Sequence, residues 1–417
     1  MPALFDRLDL TLMFQAGIAA ADPVRAVDSA LQARPVAVPE GGRLTIVAVG
    51  KAAHGMMAAA RAGVPEGVDA RCIAVTNYEN HQDVPGVACF AAGHPVPDEN
   101  GLRAAEAVEA ALRETGSGDA VLALISGGGS ALLPGPVAGL SLADKAEVNR
   151  LLLARGADIE ETNIVRQALS RVKGGGLLAL AAPAPVRSLI LSDVVGDDLR
   201  VIASGPTVAP IADRAGARAV TRRLGIWDAL PVPARAVLAQ DVPMPDLPAA
   251  DAELVGSNRI SVEAMAKAAP MPVRVIEEPL VGPVSAAAAR VLDLAEETPP
   301  GLALLFGGET TVVLAGDGKG GRNQELALRV ALLAEARGDM GNWLFLSGGT
   351  DGRDGPTDAA GALVDQDSLT RMRAAGTPPE ALLANSDSYA ALAASGDLLM
   401  TGATGTNVAD LQIFLRV

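Results

Sequence analysis

Short apolar runs of four to eight residues alternate with stretches of helical period along most of this chain. In the first half RLTIVAVG, RCIAVTN, VACFAAG, DAVLALISGGGS and VRSLILSDVVGDD read as strands. Between them DENGLRAAEAVEAALRE places Leu102, Ala105, Val108 and Leu112 on one helical face. The first forty residues read as helical, with breaks at Asp22-Pro23 and Arg34-Pro35. Asp158 with Glu161 three positions on has the form of a capping box and opens a helix through IEETNIVRQALSRV. In the second half AELVGSN, PVRVIE, GLALLFGGE, TTVVLAG and NWLFLSGGTDG are expected strands. RISVEAMAKAA, PVSAAAARVLDLAEE and a segment starting near Arg322 are expected helices. A long polar loop, a helical region ending near Ser395 and LLMTGATGTNVADLQIFLRV close the chain.

Apolar runs separated by helices predict parallel sheets covered on both faces, hence an α/β protein. Five prolines between Leu230 and Ala250 interrupt the pattern and predict a boundary between domains at 1–240 and 250–417. In open parallel sheets ligands bind beyond the carboxyl ends of the strands. Those ends here read GK, TN, GHPVPDENG, SGGGS, SDVVGDD, GSN, GGE, SGGTDG and TGATGTN. Small, polar and acidic residues thus collect at one edge of each sheet, and an interdomain cleft between two such edges is the expected site.

Composition narrows the function. At 417 residues and 49% hydrophobic the chain has ample core for two domains. A net charge of −15 argues against nucleic acid or an anionic membrane as partner. Cys72 and Cys89 offer no CxxC, which fits a reducing cytoplasm. The start lacks the layout of a signal peptide, and no run approaches the roughly 20 apolar residues of a spanning helix. A cytoplasmic protein is expected.

The chemistry is suggested by basic residues where expected helices begin. Lys51, Lys319 and Arg322 follow glycines at such starts, where exposed N–H groups and the helix dipole disfavour cations. A bound phosphate would remove the conflict. The turn Ser126, Gly127, Gly128, Gly129, Ser130 offers backbone N–H groups to an anion, although a tight strand–helix turn explains it as well. Neither serine lies in the GxSxG elbow of a hydrolase. Gly316, Gly318 and Gly321 satisfy GxGxxG, the dinucleotide fingerprint, and are the main support for a nicotinamide enzyme. The Walker pattern is absent. Asp193, Asp197 and Asp198 follow one strand, and Glu309, Asp351 and Asp354 follow others. Phosphoryl transfer needs carboxylates of this kind to hold Mg²⁺ and to accept a hydroxyl proton, whereas single loop aspartates more often close turns. His94 in GHPVP reads as a turn residue and His54 as a packed one.

VGKAAHGM, GHPVPDENG, SGGGSALL, NIVRQALSRVKGG, LSDVVGDDLRVIASGPT, GGETTV, GKGGRNQELAL, GTDGRDGPTDAAGA and TGATGTNVADL occur in this order. Together they resemble the class II glycerate 2-kinases, whose C-terminal region is called the MOFRL domain. The resemblance implies a Rossmann-like N-terminal domain, a smaller α/β C-terminal domain and an active site between them. It implies transfer of phosphate from ATP, with Mg²⁺, to D-glycerate, giving 2-phosphoglycerate. Members are often labelled hydroxypyruvate reductases, so an NAD(P)H-dependent reductase is the alternative. Lys51 and Arg322 match the family's essential lysine and arginine.

On this reading the phosphates would lie against Ser126–Ser130 and against the turn containing Lys319. Arg166 and Lys173 would hold the glycerate carboxylate. Asp193 would act as base or metal partner, with Glu309 and Asp351 as further metal candidates. The chain departs from the family pattern at Gln167, Ala168 and Gly176, and ANSDSY replaces the usual Asn-Asp pair. A homodimer remains an open option.

Overall fold

A computed structural model describes residues 5–338 and 340–417, which form two compact units. One unit is Pro23–Val255. Its sheet comprises β1 (Arg43–Val49), β2 (Asp69–Asn77), β3 (Ala88–Ala92), β4 (Ala120–Ile125), β5 (Val186–Leu191) and β6 (Asp251–Gly256). The strand order is β3-β2-β1-β4-β5-β6, and every pairing from β3 to β5 is parallel. That is the order of a Rossmann-like sheet. The strands are apolar because both faces are covered. Val47, Val49, Val121, Ala123 and Ile125 enter a core with Ala104, Ala105, Val108 and Leu112 of the helix Glu99–Arg113. Asp158 and Glu161 form the expected capping box on the helix Ile159–Ala168.

The second, smaller unit combines the described residues up to Asp22 with Gly256–Val417. Its sheet contains β7 (Val273–Val275), β8 (Leu280–Pro283), β9 (Ala303–Thr311), β10 (Trp343–Gly349), β11 (Gly361–Asp365), β12 (Leu398–Leu399) and β13 (Asp410–Arg416). The order is β12-β11-β10-β13-β9-β7, with β8 also paired to β9. Only β7 and β8 run parallel to β9; β13 is antiparallel to both of its neighbours, β9 and β10. The expectation of a parallel sheet fails here for a physical reason. Burial on both faces makes a strand apolar whichever way it runs. Phe306, Phe345 and Phe414 point into one core, while Leu305, Leu346 and Ile413 point into the other.

Three further differences follow from packing. The helix Arg7–Ala20 belongs to this second unit, although the expected boundary grouped it with residues up to 240. Its Leu10, Met13 and Phe14 cover one face of the sheet. Gly17 permits the approach, since a Cβ there would stand 2.7 Å from Leu411 Cδ1. TTVVLAG is not a separate strand, because β9 ends at Thr311 and Val313 and Leu314 are exposed. The polar loop after β10 conceals β11, five residues that are all buried. Among the described residues no helix is long and apolar enough to cross a membrane.

Candidate active site

In the first unit the chain leaves β1 for β2 and β3 on one side and takes up β4 and β5 on the other. This switch point opens a crevice at the carboxyl ends of β1 and β4. The residues there are Gly50-Lys51 and Ser126–Ser130. The two turns are joined: Lys51 N–H donates to the Gly127 carbonyl at 2.9 Å, and Ala52 N–H donates to Ser126 Oγ at 3.1 Å. Gly50 has φ +130°, and a Cβ there would lie 2.1 Å from Ser126 Oγ. Gly128 adopts the left-handed conformation at φ +83°, just before the short helix Gly129–Leu132.

Asp193 and His94 border the same turn. A Cβ on Gly127 would stand 2.0 Å from Asp193 Oδ2, and one on Gly128 would stand 3.2 Å from His94 Cδ2 and 3.3 Å from Lys51 Cγ. Burial raises the Asp193 carboxyl above its usual range, opposed by its own backbone N–H and the charge of Lys51. Burial lowers His94, Lys51 lowers it further, and Glu79 opposes both. Lys51 is half-buried and forms no ion pair among the described residues. A cation, a neutral imidazole, a poorly solvated carboxyl and a glycine turn therefore share one strand edge. His94, set aside as a turn residue in the sequence, is part of this group; its place at the carboxyl end of β3 was the available signal.

The second unit treats Arg322 differently. The residue opens the helix Arg322–Arg337, as expected, but carboxylates of this chain answer its charge. Asp410, with no exposed side-chain surface, accepts from Arg322 Nε at 2.7 Å and from its Nη2 at 2.9 Å. Glu309 lies 3.0 Å from the same guanidinium. Asp354 takes the helix N-terminus, accepting from Asn323 N–H at 3.1 Å and Gln324 N–H at 2.8 Å. No external anion is needed to place a cation here, which corrects the argument for Arg322. Asp410 lies within TGATGTNVADL, but one polar residue at the start of an apolar strand gives no sign of the cation it meets.

The loop before this helix also owes its glycines to the chain itself. A Cβ on Gly316 would lie 2.1 Å from Asn385 Oδ1, one on Gly318 2.5 Å from the Asn385 carbonyl, and one on Gly321 2.3 Å from Asp354 Cγ. The GxGxxG spacing thus records close packing on Asn385–Ser388 and Asp354, with no strand leading into it. Lys319 is exposed, and its Nζ lies 4.5 Å from the Tyr389 ring centroid.

The remaining candidates divide. Asp351 closes a turn, accepting from Arg353 N–H at 3.0 Å. Among the described residues no three His, Cys, Asp or Glu side chains gather as a metal site. Asp193, half-buried beside the glycine turn, fits a Mg²⁺ carried by nucleotide phosphates, since such an ion keeps most of its waters and takes one or two protein carboxylates. Arg166 donates from Nε to Asn149 Oδ1 at 2.9 Å. Lys173, expected at the substrate carboxylate, is buried with Nζ donating to the carbonyls of Ser130 at 2.7 Å and Leu133 at 3.2 Å. Its ammonium is committed to the back of the glycine turn. Gln167 is buried too, donating to the carbonyls of Arg200 and Ser204 and accepting from Ile211 N–H.

Comparison with known proteins agrees with the resemblance. A domain of unknown function (DUF4147) matches residues 9–239, and the MOFRL family matches residues 302–410. An Agrobacterium vitis protein named "Putative hydroxypyruvate reductase" is 44% identical, covering 97% of this chain and 93% of its own. A Thermotoga maritima protein named "D-glycerate 2-kinase" is 40% identical, covering 90% of this chain and 91% of its own. The crystal structure of a glycerate kinase from Thermotoga maritima superposes with TM-score 0.90 at 37% identity, covering 98% of this chain and 99% of that one.

Proposed function

Because this chain belongs to the class II glycerate kinase family, we propose that it transfers the γ-phosphoryl group of ATP to the 2-hydroxyl of D-glycerate, releasing ADP and 2-phosphoglycerate. The observation that carries the reading is Lys51, a cation with no ion pair among the described residues, beside a glycine turn at the switch point of a Rossmann-like sheet. The backbone N–H groups of Gly127, Gly128 and Ser130 receive the phosphates, those of Ser126 and Gly129 being taken by the carbonyls of Val49 and Ser126, and Lys51 neutralises charge on the transferring phosphoryl group. Mg²⁺, when bound, neutralises phosphate charge as well. Asp193 is assigned to accept the hydroxyl proton or to contact the metal; a raised carboxyl is the better base. As the 2-hydroxyl oxygen bonds to the γ-phosphorus, its bond to the β–γ bridging oxygen breaks and ADP leaves. Arg166 is assigned to the glycerate carboxylate. Arg322 and Lys319 are assigned to phosphate contact, and Glu309 and Asp351 to the metal.

The reductase reading has the name of the Agrobacterium vitis relative in its favour. Against it, the GxGxxG segment lacks the strand–turn–helix setting that a dinucleotide site requires. A coupled assay separates the two. The kinase releases ADP only with D-glycerate and Mg²⁺ present, and enolase consumes its product directly. NADH oxidation with hydroxypyruvate, without ADP formation, would overturn the assignment. Asp193→Asn retaining full kcat would remove Asp193 from the reaction.

A further inference from the structure

Two lysines lie behind the glycine turn in a setting that ordinary packing does not explain. The helix Gly129–Leu132 that follows the turn is only four residues long, and its exit carries a row of carbonyls. Lys173 Nζ donates to the Ser130 carbonyl at 2.7 Å and the Leu133 carbonyl at 3.2 Å. Lys145 Nζ donates to the Pro134 carbonyl at 2.5 Å. Ser170 Oγ reaches the carbonyls of Pro134 at 3.1 Å and Gly135 at 3.0 Å. On the opposite side Ser130 Oγ meets Ser204 Oγ at 2.8 Å, which bonds Asn163 Oδ1 at 2.6 Å.

Both ammonium groups are buried, at 6% exposure for Lys145 and 5% for Lys173, and neither meets a carboxylate among the described residues. The groups facing them are themselves cationic: Arg166 on the helix Ile159–Ala168 and Arg171 just beyond it. Glu109, on the helix Glu99–Arg113, is taken by Arg171 at 2.8 Å and Arg113 at 3.8 Å. Asp144 is held in the cap of Lys145's own helix by Ser141, Glu147 pairs with Arg150, and Glu161 pairs with Arg223. A buried charge without a partner is costly and is retained only where something compensates it. Helix-end carbonyls do so in part.

We propose that Lys145 and Lys173 are positioning residues of the anion-binding turn, clamping the carbonyls of Ser130, Leu133 and Pro134 and lending the turn positive charge without touching substrate. The proposal rests on the reading of Ser126–Ser130 as the phosphate site. A polyphosphate at the turn supplies the negative charge that the lysines lack, so its binding favours their protonated forms. Burial first, then Arg166 and Arg171, bring Lys145 down to about 7, so its proton occupancy is adjustable at neutral pH.

The test uses the full chain and ATP as probe. Lys145→Met should raise the KM for ATP about tenfold while kcat changes less than twofold. Calorimetric titration with ATP at pH 7.5, in buffers of different ionisation heat, should show proton uptake by the wild type and less by the variant. The thermal midpoint should not fall, because a buried charge has been removed. A role in folding alone predicts the reverse, a lower midpoint with unchanged KM and proton uptake, and that result would overturn the proposal. Lys173→Met should behave alike; should it fail to fold, Lys145→Met and the wild-type titration decide the matter. Gly128→Ala serves as reference. If it leaves ATP affinity intact, the phosphate-site reading falls; if it weakens ATP binding while Lys145→Met does not, only the present proposal falls.

Discussion

Lys51 and Arg322 look alike in the sequence and differ in what their removal would do. Lys51 is half-buried with no ion pair among the described residues, so Lys51→Met should alter stability by no more than about 0.5 kcal/mol. Its kcat should fall by roughly 10²–10³, the cost of losing one preorganised charge-stabilising group. Urea unfolding beside an ADP-release assay checks both values. Arg322→Met instead strands Asp410, a carboxylate with no exposed surface, and should destabilise by about 3 kcal/mol in addition to its effect on turnover. Adding Asp410→Asn should recover part of the stability and none of the activity. Full recovery of activity in the double variant would show that Arg322 acts only through folding.

At the scale of elements, the helix Arg322–Arg337 depends on a residue that reaches it from another loop. Its N-cap is Gly321, which has no side chain to offer, and Asp354 supplies the acceptor for two terminal N–H groups. Asp354→Ala should therefore cost about 1–2 kcal/mol, readable as a shift of the urea midpoint. The carboxyl is raised by burial to about 6, against 3.8 when unfolded. The folded form thus holds the proton more tightly, and this group's contribution to stability is complete below about pH 4 and is lost as pH rises through 6. Melting curves of the wild type and Asp354→Asn should diverge across that window. Parallel curves would mean that Asp354 is not buried as a titrating acid.

The whole molecule is discontinuous in sequence. Leu10, Met13 and Phe14 complete a core whose other members are drawn from the second half of the chain. Phe14→Ala should cost about 3–5 kcal/mol, the range for deleting a buried aromatic ring. Residues 256–417 expressed alone should expose that apolar face and fail to melt cooperatively, and supplying residues 1–22 should restore the transition. Residues 23–255 should fold unaided, since their cores are self-contained. Cooperative melting of 256–417 by itself would contradict this division.

Much of this was legible in the order of residues. Periodicity marked most strands and helices, the capping box at Asp158 and Glu161 was visible as a spacing, and the glycine turn at Ser126–Ser130 stood out by composition. These features act over a few residues, so local chemistry determines them. The strand directions of the second sheet were not legible, because a run buried on both faces has no polarity to reveal. Nor were the partners of the charged groups. Asp410 lies 88 residues from Arg322 and Asp354 31 from Asn323, and Lys173 reaches back 43 to Ser130. Which carboxylate or carbonyl answers which cation is settled by folding alone, since such contacts exist only once distant strand ends have been brought to one edge.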